Sequence, residues 1–321
     1  MEHPIPMRAA TVRSRLMLEA ASELVGDFDG WPQKQSIISL REQGDESWGI
    51  ALFASDAPGS IDAVMSGEAQ IGIVNPGAVM AMAVRGSGPY PHPLPLSTIT
   101  VLPQFDQLGF GVADRTGLRS LRDIAEQKYP LKVSLRGQRD HSVHLITNVV
   151  LAAHGFTLDD IVAWGGEVRY DAGLPYTEPR MGAARRGEID AIFDEAMPSF
   201  ADEALSIGLR FLDIDEEHLQ KLEAMGLRRI AITKDEFPAL HEDVWSIDFS
   251  GWPVFVRNDL DENIITKFCA ALEARKDRIP HFGTPGPLPL REMCTDTRDA
   301  PMMVPLHPAA ERFWRSQGYL P

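Results

Sequence analysis

The sequence predicts an α/β fold in roughly two halves. Short apolar, β-leaning runs alternate with helical patterns along most of the chain. A strand–helix–strand unit between GIALFAS and AQIGIVN is followed, after residue 118, by a second series of such units. The 321 residues exceed what one small domain usually takes.

The elements follow in order. A helix over residues 8–25 places Leu16, Leu18, Ala21 and Leu24 near helical spacing. SIISL (36–40) and GIALFAS (49–55) read as strands. Pro58, Gly59 and Ser60 then make a turn, Ser60 caps a helix, and Gly67 ends it. AQIGIVN is a short buried strand and GAVMAMAV a helix, closed by the Gly/Pro-rich surface excursion RGSGPYPHPLP. TITVLPQ and LGFGVAD are strands. The second series runs LRSLRDIAEQ (helix), LKVSL (strand), SVHLITNVVLAAHG (helix), GGEVRY (strand), RMGAARRGE (helix), IDAIFDE (strand), PSFADEALSIG (helix) and LRFLDI (strand). HLQKLEAMG, RRIAIT, WPVFVRND and the helical ENIITKFCAALEARKDRI follow, and a Pro-rich tail carries one short helix. There is no internal repeat and no low-complexity segment.

A formal net charge of −15 argues against nucleic acid and against a polybasic membrane contact. Cys269 and Cys294 belong to no C-x-x-C pair, no Cys/His cluster has zinc spacing, and Cys269 reads as a core residue. Neither a metal nor a cofactor is called for. No apolar run is long enough to span a bilayer. The opening MEHPIPMRAATVRSRLMLEA has no apolar leader stretch and no small-residue cleavage site. As it stands the chain is expected in the cytoplasm, or in the periplasm if a leader has been removed.

In open α/β sheets ligands sit beyond the carboxyl ends of strands, near helix N-termini. That rule selects residues 55–60, 75–77, 136–142 and 194–198. In KVSLRGQRDHSVHLI a strand turns into a helix through Arg136, Gln138, Arg139, Asp140, His141 and Ser142. A helix N-terminus favours an anion, and an arginine fork fits a carboxylate. Two readings stand: an anion site held by Arg136 or Arg139 with Gln138 and Ser142, or a solvated loop with Arg139 paired to Asp140. His141 and His144 read by default as surface histidines, with acid/base work for His141 as the sharper option. Ser55 and Ser60 offer hydroxyls at a helix start. Asn75 can donate and accept, or simply make a turn before Pro76. Asp194 and Glu195, next to Phe193, could move protons, receive an amine, or form an acidic helix start. No G-x-S-x-G, P-loop, H-E-x-x-H or G-x-G-x-x-G opening a helix is present.

Several phrases in shared order resemble one family. GSIDAVMSGEAQIGIVNPGAVMAMAVRGSGPY, GLRSLRDIAEQKYPLKVSL, MGAARRGEIDAIFDEAMP, WPVFVRNDLDENIITKFCAAL and HPAAERFWRSQGY are similar to stretches of TAXI-type receptors of tripartite (TRAP) transporters, over roughly residues 49–319. The resemblance implies a two-lobed type II periplasmic-binding-protein-like fold with hinge strands. Hinges are expected near 104–109 and 230–252, with residues 1–106 in lobe 1, 107–232 in lobe 2, and 233–321 returning to lobe 1 with the tail. It implies a small organic carboxylate as ligand, amino acids included, and a transporter membrane subunit as partner if the chain is exported. The ligand-facing turns would carry Ser55, Ser60, Asn75, Arg136, Gln138, Arg139 and Ser142, with Phe193 to Glu195 opposite. Two sequence departures stand out: only MEHPIP precedes the first helix, where the family has a strand and a Gly-rich loop, and RGQRDHS replaces a small GSGT-like turn. The alternative is a cytoplasmic enzyme on the same scaffold, a decarboxylase, dehydratase or isomerase, with His141, Asp194 and Glu195 as catalytic residues.

Overall fold

The computed structural model describes residues 9–26, 36–42, 45–55, 57–283 and 285–321. MEHPIP and Asp56 lie outside them. Helix α1 (Ala9–Gly26) stands where the helical spacing predicts it.

The rest of the chain builds two α/β lobes. Lobe 1 begins β1 (Ser36–Glu42), β2 (Asp45–Ala54), α2 (Gly59–Ser66), β3 (Ile71–Ile73), α3 (Gly77–Arg85) and β4 (Leu96–Leu102). The chain crosses and forms lobe 2: β5 (Gly109–Ala113), α4 (Leu121–Gln127), β6 (Lys132–Arg136), α5 (Ser142–Ala153), α6 (Leu158–Ala163), β7 (Glu167–Asp171), α7 (Ala183–Arg185), β8 (Ala191–Asp194), α8 (Met197–Ser206), β9 (Leu209–Phe211), α9 (Glu216–Met225), β10 (Arg229–Ile232) and β11 (Val244–Ile247). It then returns to lobe 1 with β12 (Trp252–Arg257), α10 (Glu262–Arg275), α11 (Leu290–Met293) and α12 (Pro308–Ser316).

Each lobe is centred on a five-stranded sheet, ordered β1-β2-β3-β12-β4 in lobe 1 and β7-β6-β8-β5-β9 in lobe 2. In lobe 1 β2 runs parallel to β3, while β12 is antiparallel to β3 and β4. In lobe 2 β6 is parallel to β7 and β8, while β5 is antiparallel to β8 and β9. The antiparallel strand of each sheet is the one delivered directly by a crossing. Helices supply the crossovers that parallel strands require.

The two crossing segments pair with one another. Leu108 N–H donates to Ile247 O at 3.0 Å, Phe249 N–H to Asp106 O at 3.0 Å, and Gly251 N–H to Gln104 O at 2.8 Å. Two hinge strands therefore run side by side, at about 104–108 and 247–251. The second is a narrower span than the expected 230–252. Residues 233–247 also pack with lobe 2 rather than beginning the return. Ile232, Phe237, Leu240 and Val244 share a core with Phe200 and Phe211. The sequence VWSI, with exposed Trp245 alternating against buried Val244 and Ser246, is a half-buried strand.

Beside the hinge the lobes touch. Residues Gly77 to Ala83 of α3 are all buried, and their apolar core is continuous with that of α5 and α9. Arg85 Nη1 donates to Glu223 O at 2.6 Å, and Ser87 Oγ to Met225 O. Gly226 ends α9 at φ 109°, and a Cβ there would lie 3.1 Å from the Ala81 carbonyl carbon. Glycine thus serves both the left-handed turn and the close helix approach.

Gly67 ends α2 in the left-handed conformation, as its position predicts. Ser60 does not cap that helix. Pro58 holds the cap position, and Ser60 Oγ, fully buried in the first turn, donates to Ala57 O at 3.4 Å. Cys269 is a core residue whose thiol burial pushes up to about 12. Among the described residues no helix is long and apolar enough to cross a membrane.

Candidate functional site

Arg136 is the last residue of β6 and Asp194 the last of β8, and the two strands are parallel neighbours. Their side chains therefore arrive together at the carboxyl edge of the lobe 2 sheet. Arg136 Nη2 donates to Asp194 Oδ1 at 2.8 Å and also pairs with Glu195 Oε1. Arg180, fully buried in the turn ahead of α7, pairs with the other Asp194 oxygen. Its Nε donates to Ser134 Oγ at 3.2 Å, and Ser134 Oγ donates to Asp171 Oδ2 at 2.8 Å. Two guanidiniums thus clamp one carboxylate. Burial alone would raise the Asp194 carboxyl, but Arg136 and Arg180 outweigh it and hold it below its ordinary value.

Asp106 reaches the same place from the first hinge strand. Its Oδ1 accepts the Gln107, Ala196 and Met197 N–H groups at 2.7, 2.8 and 3.1 Å. Ala196 has a left-handed φ of 71°, a conformation costly for a residue with a Cβ. The acid at the N-terminus of α8 is therefore Asp106 from the hinge, not Asp194 or Glu195 from the preceding strand. Burial and the facing Glu195 charge push Asp106 well above the usual carboxylate range. Burial, opposed by Arg136 and helped by Asp194, raises Glu195 as well. Asp106 and Glu195 thus face each other as two buried carboxyls, each raised above its ordinary value. Two arginines, Arg136 and Arg180, are buried against these acids, as burial of so many charged groups demands.

His141 is buried, against the default of a surface histidine. It caps α5, with Val143 N–H donating to its Nδ1 at 3.1 Å. Nε2 lies 3.1 Å from Arg136 Nη1 and 3.8 Å from Glu195 Oε1. The ring stacks nearly parallel to Phe249 of the second hinge strand, centroids 6.4 Å apart. Burial and then the Arg136 charge push its pKa down to about 3, so the imidazole is neutral at physiological pH.

The residues singled out on lobe 1 are neutral. Ser55 follows β2, is buried, and its Oγ accepts the Ala57 N–H at 3.1 Å. Asn75 lies just past β3, and its Oδ1 is buried with no hydrogen-bond partner. Gly77 N–H, at the start of α3, donates to Gly251 O of the hinge at 2.8 Å.

The remaining predicted residues separate. Ser142 opens α5 and is fully buried. Gln138 is half-buried, and its carbonyl accepts the His141 N–H at 3.3 Å and lies 2.8 Å from His144 Nε2. Arg139 is exposed, its guanidinium 3.4 Å above the Tyr170 ring centre. That is where the guanidinium lies, rather than on Asp140 as the solvated-loop reading has it. Phe193 is core: it is wholly buried, edge to face with Phe110 at 5.1 Å. Strand alternation explains this, since Phe193 and Asp194 face opposite sides of β8. Sequence reasoning missed Asp106 and Arg180. A lone acid in the apolar stretch QFDQLGF was the available signal for Asp106, whereas Arg180 opens an ordinary-looking helix.

A profile of the NMT1-like family matches residues 36–318. The chain belongs to the NMT1-like family. No curated protein matches it. Among solved structures the NMT1-like chain is similar to one described as a periplasmic transporter, at 16% identity over 82% of this chain and 81% of that one, with a TM-score of 0.33. It is also similar to PhnD1 from Prochlorococcus marinus in complex with methylphosphonate, at 8% identity over 81% and 82% of the two chains, TM-score 0.36. A third is the L-cystine solute receptor of Neisseria gonorrhoeae, at 11% identity over 67% and 65%, TM-score 0.26.

Proposed function

We propose that this chain is a TAXI-type solute-binding protein that takes a small organic carboxylate between its lobes, anchored on Arg136. If exported, it would hand that solute to a transporter membrane subunit. One observation carries the reading. Arg136 Nε is buried with no hydrogen-bond partner, while Nη2 of the same fork is shared with Glu195, a carboxyl whose surroundings disfavour its charge.

A ligand carboxylate can take Nε and Nη2 side-on, as a planar fork allows. Glu195 then leaves Arg136. Without that cation its charged form loses its main support, so it takes up a proton beside Asp106. One anion replaces another and the buried cluster stays balanced. Asn75 Oδ1, also lacking a partner, is suited to a donor on the ligand. Ser55 and Ser60 shape the lobe 1 side at the start of α2. Arg139, Gln138 and Ser142 frame the loop ahead of α5.

One observation favours a catalytic reading: Glu195 Oε1, a carboxyl raised above its ordinary value, lies 3.8 Å from Nε2 of neutral His141. Ligand-observed proton NMR with a panel of small mono- and dicarboxylates, recorded at once and after hours, separates the two. Saturable broadening with unchanged ligand peaks is the expected result. New product peaks absent with boiled protein would make it an enzyme. No broadening with any carboxylate would remove the carboxylate assignment.

A further inference from the structure

A second cluster lies on lobe 2, outside the Arg136 site. His154 ends α5, Asp215 caps α9, and His218 sits in the first turn of α9. One ligand-type atom from each of the three lies within 4.8 Å of the others. His154 and His218 are each 8% exposed, and their rings stack with centroids 3.9 Å apart. His218 Nδ1 is 2.8 Å from both Asp215 oxygens.

His154 supplies the deciding observation. Its Nδ1 is 2.8 Å from Val150 O, a contact that only an N–H on that nitrogen satisfies. The other nitrogen, Nε2, is therefore the one with a lone pair to offer. It is buried and has no hydrogen-bond partner. A buried polar atom left unmatched is unfavourable. A histidine fixed through one ring nitrogen by a backbone carbonyl, with the lone pair of the other left to a metal, is how metal-binding imidazoles are usually held.

We infer that His154 Nε2, one ring nitrogen of His218 and the Asp215 carboxylate bind a divalent transition-metal ion of the zinc class, joining α5 to α9. Two imidazoles and one carboxylate suit that class and leave a fourth position for water. Stacked parallel rings cannot both point at one ion, so binding turns one ring out of the stack. Arg122 is the built-in competitor: its Nη2 and Nε donate to the two Asp215 oxygens at 3.0 and 3.2 Å. The ligands are 61 and 3 residues apart along the chain (154 to 215, 215 to 218), a spacing with no sequence signature.

The test uses the full chain, stripped with a chelator that is then removed, and titrated with zinc chloride by calorimetry. One saturable site per chain is expected. His154→Gln and Asp215→Asn should each weaken it at least about tenfold, a ratio worth 1.4 kcal/mol at 25 °C. The asparagine keeps the α9 cap, so that variant should still fold. Arg122→Ala should bind zinc as tightly as wild type or more tightly. Cobalt in place of zinc should give visible absorption bands that both weakened variants lose. Absence of a saturable site overturns the inference. So does unit stoichiometry with unchanged affinity in His154→Gln and Asp215→Asn, both confirmed folded by circular dichroism, because the zinc would then sit on other histidines.

Discussion

The two lobes meet at the hinge with opposite chemistry. Lobe 2 brings Arg136, Arg180, Asp194, Glu195 and His141, all buried and bound to one another. Lobe 1 brings serine hydroxyls, the Asn75 amide and the apolar helix α3. Asp106 belongs to neither, since it sits on a strand that joins them and its carboxyl binds the start of α8. The difference is one of cost. A buried charged cluster is costly to disturb, whereas neutral hydrogen-bonding groups cost little each.

The largest effect that separates the lobes is on stability. Arg180→Met leaves Asp194 buried with one cation fewer and should cost about 3–5 kcal/mol in urea unfolding. Ser55→Ala, which removes one neutral hydrogen bond, should cost about 1 kcal/mol. Equal losses would erase the distinction. Met82→Ala, in the buried face of α3, should cost about 2–5 kcal/mol through the cavity it leaves.

Affinity sharpens the comparison. Arg136→Lys keeps a charge but loses the fork, and carboxylate binding should weaken by about 1.5–3 kcal/mol. Asn75→Ala should weaken it by about 1 kcal/mol, as expected for a neutral partner. Calorimetric titration reads both.

A smaller effect concerns pH. The folded chain holds His141 neutral down to about 3, whereas the unfolded chain protonates this histidine below about 6.5. The unfolded state therefore binds the extra proton first, and this contribution to stability is lost as pH falls from about 6.5 toward 3. Between pH 7 and 5.5 wild type should lose about 1 kcal/mol more than His141→Gln. Equal slopes would mean the imidazole is not shielded. The smallest effect belongs to Arg139→Ala: the guanidinium lies on Tyr170 in the open, and affinity should change by less than about 1 kcal/mol.

Much of the fold was legible because it rests on local signals. Apolar runs bounded by turn residues mark nearly every strand, and Gly67 stops α2 where a left-handed residue is needed. The hairpin end of lobe 2 was not legible, because VWSI is short and its burial depends on Phe237 and Leu240 folding back. Carboxyl strand ends led to Arg136 and Asp194, whose side chains meet, although Phe193 faces the core one residue away. The charge network itself was hidden. Its members Asp106, Arg136, Arg180 and Asp194 come from four separate segments, and nothing local in TEPRMGAARRG shows that Arg180 will be fully buried. His141 looked like a loop histidine because its burial comes from Phe249, more than a hundred residues later.

The central claim is that ligand carboxylate replaces Glu195 on Arg136. Calorimetry of a carboxylate ligand near neutral pH, in two buffers of different ionisation enthalpy, tests it most directly. The account predicts uptake of about one proton per ligand bound, abolished in Glu195→Gln, because Glu195 protonates when it loses the guanidinium. Binding without proton uptake, or equal uptake in wild type and Glu195→Gln, would contradict it.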